Sequence, residues 1–283
     1  MRIVFIYSFL SFLLINVNFA QEQKSCCKLS APQEFASFSD DENFVNAHVP
    51  PVSFTLINGK GKMITFNTQD GNTANAYEVK SDEYTNKYIF VFHEWYGLND
   101  YIKKEAEELQ QALVNVNVLA LDLYDGKVAE NNEDARKYVQ SVETQRAVDI
   151  IKSALDYTGK NAEIATIGWC FGGAWSLQTA ILLNENVKAC VMYYGMPEKD
   201  TERLNKLNAP VLGIFGKQDA SITPKIVEQF EADMKSLNKQ ITVKMYDAVH
   251  AFANPSNPNH DVEATKDARN HTISFLKEQL SLN

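Results

Sequence analysis

Residues 164–176 read I-A-T-I-G-W-C-F-G-G-A-W-S. The apolar run Ile164-Ala165-Thr166-Ile167 leads into Gly168-Trp169-Cys170-Phe171-Gly172 and then into a helix-compatible stretch. That order predicts a buried strand, a sharp turn presenting Cys170, and a helix start, the form of a nucleophile elbow. Glycines flank the cysteine because such a turn forces unusual backbone angles and brings the helix against the strand it has just left. At a helix N-terminus the unpaired N–H groups and the dipole favour a thiolate, and the N–H of Phe171 can donate to an oxyanion. Taken alone, the motif is equally a structural cysteine buried in a glycine-rich turn.

The chain beyond it favours chemistry. After the apolar run 187–194 comes 210–215, which empties into Gly216-Lys217-Gln218-Asp219, and then 241–246, which empties into Asp247-Ala248-Val249-His250. Nucleophile, acid and histidine in that chain order, each at the carboxyl end of a successive strand, are the arrangement of an α/β-hydrolase. Cys170 is then expected to attack a carbonyl, His250 to move the proton, and Asp219 to fix the imidazole tautomer and stabilise the imidazolium. Of the five histidines, His48 falls in the N-terminal arm, His260 in a Pro/Asn-rich loop and His271 in the last helix, so that His93 is the competitor to His250.

With those residues in place, the chain resembles the dienelactone hydrolase family, whose nucleophile is a cysteine. The resemblance runs from about residue 74 to the C-terminus. It rests on Phe92-His93-Glu94-Trp95-Tyr96-Gly97-Leu98-Asn99, Leu121-Asp122-Leu123-Tyr124, the elbow, Gly216-Lys217-Gln218-Asp219 and His250-Ala251-Phe252-Ala253. It implies that Glu94 keeps the resting cysteine as a thiol and takes its proton when substrate arrives, and that Trp95 supplies the second oxyanion-hole N–H. It also marks a departure: the family members that open dienelactones hold the substrate carboxylate with an arginine four residues beyond the catalytic histidine, where this chain has Asn254. An amide supplies no charge, so that contact is expected to be weaker or to face a neutral substituent. Arg136 is the cation offered in its place, against its reading as a solvated helix residue.

The expected fold is α/β, a mostly parallel sheet with helices on both faces. Strands are expected at 74–79, 87–93, 116–123, 164–169, 187–194, 210–215 and 241–246, and helices at 101–113, 133–157, 172–183, 224–237 and 262–280. Residues 54–66, interrupted at Gly59-Lys60-Gly61, read as a hairpin. One domain is expected over 52–283, preceded by an irregular extension over 21–51 that is polar, carries Asp40-Asp41-Glu42 and ends at Pro50-Pro51. Residues 1–20, a basic Arg2 followed by an apolar run too short to span a bilayer and by Asn18-Phe19-Ala20, read as a signal peptide that directs the chain to the periplasm or outside the cell. Cys26 and Cys27 are adjacent and unsuited to bridging each other; a disulfide elsewhere and two free thiols stay open, while Cys190 reads as a core residue.

A composition of 45% hydrophobic and 22% charged residues is that of an ordinary globular chain. A net charge of −9 without a basic patch argues against a nucleic-acid partner. No zinc-site spacing, dinucleotide fingerprint or phosphate loop occurs, so neither cofactor nor metal is expected. The expected activity is hydrolysis of a small ester or enol lactone through an acyl-cysteine. A non-catalytic small-ligand binder on the same scaffold and a thiol redox sensor are the alternatives.

Overall fold

The computed structural model of the protein describes residues 30–282; the expected signal peptide and Cys26-Cys27 lie outside the described residues. Helices α1 (Ala31–Ser37) and α2 (Glu42–Ala47) come first, followed by β1 (Lys62–Asn67), β2 (Thr73–Val79), β3 (Lys87–Phe92), α3 (Asp100–Leu113) and β4 (Asn117–Leu121). Then come α4 (Asn132–Ser141), α5 (Thr144–Thr158), β5 (Glu163–Trp169), α6 (Phe171–Leu183), β6 (Val187–Tyr193) and α7 (Thr201–Leu204). The chain finishes with β7 (Val211–Gly216), α8 (Pro224–Ser236), β8 (Ile241–Tyr246) and α9 (Val262–Gln279).

The strands form one 8-stranded sheet in the order β1-β2-β4-β3-β5-β6-β7-β8. The β1–β2 and β2–β4 pairs are antiparallel, and every other pair is parallel. Strands β4 and β7 are buried along their whole length, and β3, β5 and β6 nearly so, as continuous apolar runs must be when helices cover both faces of a parallel sheet. Helices α3 and α9 pack against each other and against β2, β4, β6 and β7, while α6 lies on β3, β5 and β6. Strand order reverses at β3, which has β4 on one side and β5 on the other, and a crevice at the carboxyl ends of strands opens at such a reversal. The expected α/β-hydrolase architecture is the one observed.

Three expectations differ from the structure. Residues 54–58 are not a strand: the N–H groups of Leu56 and Gly61 donate to the carboxylates of Asp100 and Glu107 on α3, and the hairpin is instead β1–β2 across the turn at 68–72. The long helix expected at 133–157 is two helices, because Val142 and Glu143 between them are extended. The extension is not irregular over 31–47. Asp41 caps α2 through the Asn43 N–H, Pro32 fits the first turn of α1, and Phe35, Phe44 and Val45 are buried in the core.

Candidate active site

The elbow forms as the glycines require. Cys170 sits between β5 and α6 at φ 58° and ψ −118°, a conformation costly for a residue with a side chain. A Cβ on Gly168 would lie 2.1 Å from the Gly172 carbonyl oxygen, and one on Gly172 would lie 2.2 Å from that of Phe92. Close packing of strand, helix and β3 therefore holds the turn in place, and the thiol is carried to the carboxyl edge of the sheet.

Asp219 follows β7 and His250 follows β8. The N–H groups of Ser221 and Ile222 donate to Asp219 Oδ1 at 2.8 and 2.9 Å, which leaves Oδ2 to take His250 Nδ1 at 2.6 Å. Burial works against both charges in this pair. Their mutual attraction outweighs it, holding the Asp219 carboxyl below its ordinary range and raising His250 to about 10. The aspartate thus orients the ring so that its Nε2 edge is free. His93, the competitor, is fully engaged in structure: Nδ1 donates to the Glu94 carbonyl at 2.9 Å and Nε2 accepts the Leu123 N–H at 3.1 Å.

Glu94 and Trp95 follow β3 and are buried. Burial lifts the Glu94 carboxyl to about 7, a value reached although the nearby His250 pulls it down. Burial also raises the Cys170 thiol above its ordinary value and Glu94 adds to that, while His250 and the Phe171 N–H oppose it. Burial thus favours the uncharged form of both the Glu94 carboxyl and the Cys170 thiol. Asn254 is buried and donates through Nδ2 to Glu94 Oε1 at 2.6 Å, so its amide is committed to the glutamate. Arg136 lies on α4 and is ion-paired with Glu42 of the extension at 2.7 Å, so its guanidinium is engaged there.

One residue in contact with Cys170 was missed from the sequence. His48, at the end of the extension, is buried with Nε2 3.5 Å from Cys170 Sγ. Its Nδ1 donates to the Phe44 carbonyl at 2.7 Å, and burial, reinforced by the charge of His250, lowers its pKa to about 3. A neutral ring with its proton on Nδ1 offers a lone pair at Nε2, so the Cys170 S–H donates to it. The rings of Phe44 and His48 lie 5.7 and 5.3 Å from that of His250, and 5.6 and 5.3 Å from that of Trp95. Phe35 packs on Phe171 and His250. The extension thus lies over the site, and Cys170 has 0% of its surface exposed. Beside it, Glu94, Trp169, Tyr194 and Asn254 help line a cavity of about 40 Å³. The signal in the sequence was the spacing of Phe35, Phe38, Phe44 and Val45 in an otherwise polar arm, which demands burial against something.

The extension is tied to the domain by polar contacts as well. The Tyr96 hydroxyl donates to the His48 carbonyl at 2.6 Å, Asn132 Nδ2 to the Val45 carbonyl at 2.8 Å, and Gln140 Nε2 to Ser39 Oγ at 2.7 Å. Among the described residues no helix is long and apolar enough to cross a membrane.

The sequence and architecture have parallels among known proteins. The chain is 27% identical over 233 residues to the Aquifex pyrophilus protein Usf, covering 78% of this chain and all of Usf. It is 36% identical over 119 residues to a carboxymethylenebutenolidase of Pseudomonas sp. strain P51, covering 40% of this chain and 47% of that enzyme. Its fold matches that of a dienelactone hydrolase-like promiscuous phosphotriesterase from metagenomic libraries with a TM-score of 0.66 at 20% identity, over 78% of this chain and 99% of the other. The sequence pattern of the dienelactone hydrolase family matches residues 74–280, the span that carries β2 to β8, Glu94, Cys170, Asp219 and His250, and the chain is a hydrolase belonging to that family.

Proposed function

We propose that the protein hydrolyses a small ester or lactone through a covalent acyl-Cys170 intermediate, with Asp219, His250 and Glu94 moving and holding the protons. The observation that carries this reading is the convergence of the four side chains from the ends of β3, β5, β7 and β8, with the Asp219–His250 bond at 2.6 Å. Substrate binding lets Glu94 take the Cys170 proton, and the thiolate adds to the carbonyl carbon. The oxyanion so formed is held by the backbone N–H groups of Phe171 and Trp95. When it collapses, the carbon–oxygen bond to the leaving group breaks and the departing oxygen takes the proton of the His250 imidazolium. A water then attacks the thioester, giving one proton back to His250, and the acid leaves as the Glu94 proton returns to the sulfur.

A thioester intermediate suits activated acyl groups with a good leaving group, enol esters and enol lactones above all, better than amides. With Asn254 committed to Glu94 and Arg136 to Glu42, no free cation faces the sulfur from either position, which supports a neutral substrate rather than a carboxylate-bearing one. The apolar run after Arg2 supports export to the periplasm or beyond.

The test is intact-mass spectrometry after brief mixing with p-nitrophenyl acetate and, separately, an enol lactone. A transient acyl adduct mapping to Cys170 and absent from Cys170→Ala is the expected result, with turnover abolished in that variant. Wild-type turnover by Cys170→Ala would overturn the mechanism.

A further inference from the structure

The extension brings a second imidazole to the nucleophile, and acyl transfer by Cys170, His250 and Asp219 has no use for it. One ligand atom each of His48, Cys170 and His250 lies within 4.8 Å of the others, all buried. The outer nitrogen of each ring is already fixed, His48 Nδ1 on the Phe44 carbonyl and His250 Nδ1 on the Asp219 carboxylate. A carbonyl or carboxylate on the far nitrogen is how metal-binding histidines are oriented. That leaves two Nε2 atoms facing one sulfur. The thiol has a single proton, which His48 Nε2 accepts, and His250 Nε2 stays buried without a hydrogen-bond partner.

We propose that His48, Cys170 and His250 form a binding site for a soft divalent cation of the zinc class, and that its occupation clamps the extension onto the nucleophile and stops hydrolysis. One thiolate with two neutral imidazoles is a donor set that selects zinc over magnesium or calcium, and three protein ligands leave a fourth position open. With Zn–S of about 2.3 Å and Zn–N of about 2.0–2.1 Å, a tetrahedral ion separates sulfur and nitrogen by about 3.6 Å. The Cys170 Sγ to His48 Nε2 separation is 3.5 Å. Closing the widest remaining pair, at most 4.8 Å, takes an inward shift of no more than about 1.5 Å. Binding displaces two protons to solvent, that of the Cys170 thiol and the Nε2 proton of the His250 imidazolium, so that both rings ligate as neutral imidazoles. The bound sulfur has no free thiolate for attack, and His250 has lost the nitrogen that serves the leaving group. Two ligands belong to the hydrolase core and one to the extension, so the ion also cross-links the cover to the site beneath it.

Metal binding itself is independent of the hydrolytic reading; the inhibitory consequence rests on it. The experiment titrates chelator-treated protein with Zn²⁺ by calorimetry, in two buffers of different ionisation enthalpy to register proton release. Wild type, His48→Ala and Cys170→Ala are compared, and each is also loaded with Co²⁺ to read thiolate-to-metal charge transfer. Expected are one Zn²⁺ per wild-type chain with proton release, a cobalt charge-transfer band lost in Cys170→Ala, and affinity weakened about 100-fold or more in His48→Ala. Zinc affinity equal to wild type in either variant, which would place the ion elsewhere, overturns the site, as does a wild-type cobalt complex without the band. In parallel, p-nitrophenyl acetate turnover is followed with and without Zn²⁺. Inhibition of wild type relieved about 100-fold in His48→Ala supports the clamp, and equal inhibition of both overturns it. Absence of turnover in metal-free wild type would count against the ester hydrolase reading, while calorimetry would still decide the site.

Discussion

Glu94 concentrates the electrostatics of the site in one side chain. In the proposed mechanism it must be ionised to take the thiol proton, so kcat/KM is expected to rise as pH climbs through about 7, and it should fall as His250 loses its proton near 10. Glu94→Gln keeps an acceptor oxygen for Asn254 but cannot take a proton, so the acidic limb disappears and the rate falls by about 100-fold or more. The same burial that tunes the group destabilises the fold. A carboxyl raised from 4.5 to about 7 in the native state incurs no penalty below its unfolded pKa and a growing one as pH rises to 7, amounting to about 3 kcal/mol above it. Glu94→Gln should therefore raise Tm at pH 8.5 and leave it nearly unchanged at pH 4. Thermal melts of both proteins at the two pH values check this, and a lower Tm for the variant at pH 8.5 contradicts it. Cys170, Asp219 and His250 were legible as residues because each follows a strand in the right chain order, and Glu94 through the resemblance to the family. His48 was not, since no strand or motif precedes it.

Among the elements, the β5–α6 junction and the extension behave differently. The junction is rigid by exclusion: Gly168→Ala places a methyl 2.1 Å from the Gly172 carbonyl, and backbone on both sides leaves nowhere to shift. A loss of about 3 kcal/mol or more is expected, measured by urea unfolding, and a variant as stable as wild type would show that the close approach is not what the glycine serves. The extension is held by side chains. Phe44, 3% exposed, packs on Phe35, His48, Trp95 and His250, and Phe44→Ala should cost about 3–5 kcal/mol where α2 docks. Because α1 and α2 cover Cys170, the first measurable consequence is faster alkylation of that thiol by iodoacetamide, followed by peptide mapping to separate it from the other cysteines. An unchanged rate at Cys170 would mean that access does not pass through the extension. The helices of this arm escaped the sequence because Asp40-Asp41-Glu42 and the prolines dominate its composition. Four apolar side chains suffice for two short helices only when a surface is waiting for them, and helices this short have little stability of their own.

At the scale of the molecule, all eight strands and the helices from α3 onward lie outside residues 30–48. A chain beginning at Val49 should keep the far-UV circular dichroism of the intact protein, lose several degrees of Tm as Phe171, Trp95 and His250 become uncovered, and label rapidly at Cys170; loss of the helical and sheet signal would show that the extension is needed to fold the sheet. The alternation of buried apolar runs with helix-length segments determined the parallel sheet, since a strand covered on both faces must be apolar throughout, and the chain order of cysteine, aspartate and histidine determined where the proposed chemistry sits. Both are patterns local to a few residues and repeated along the chain. What lies above that chemistry was decided only in three dimensions. The contact of His48 with Cys170 joins residues 122 positions apart, and the commitment of Asn254 to Glu94 and of Arg136 to Glu42 likewise depends on which surfaces meet, which no periodicity along the chain encodes.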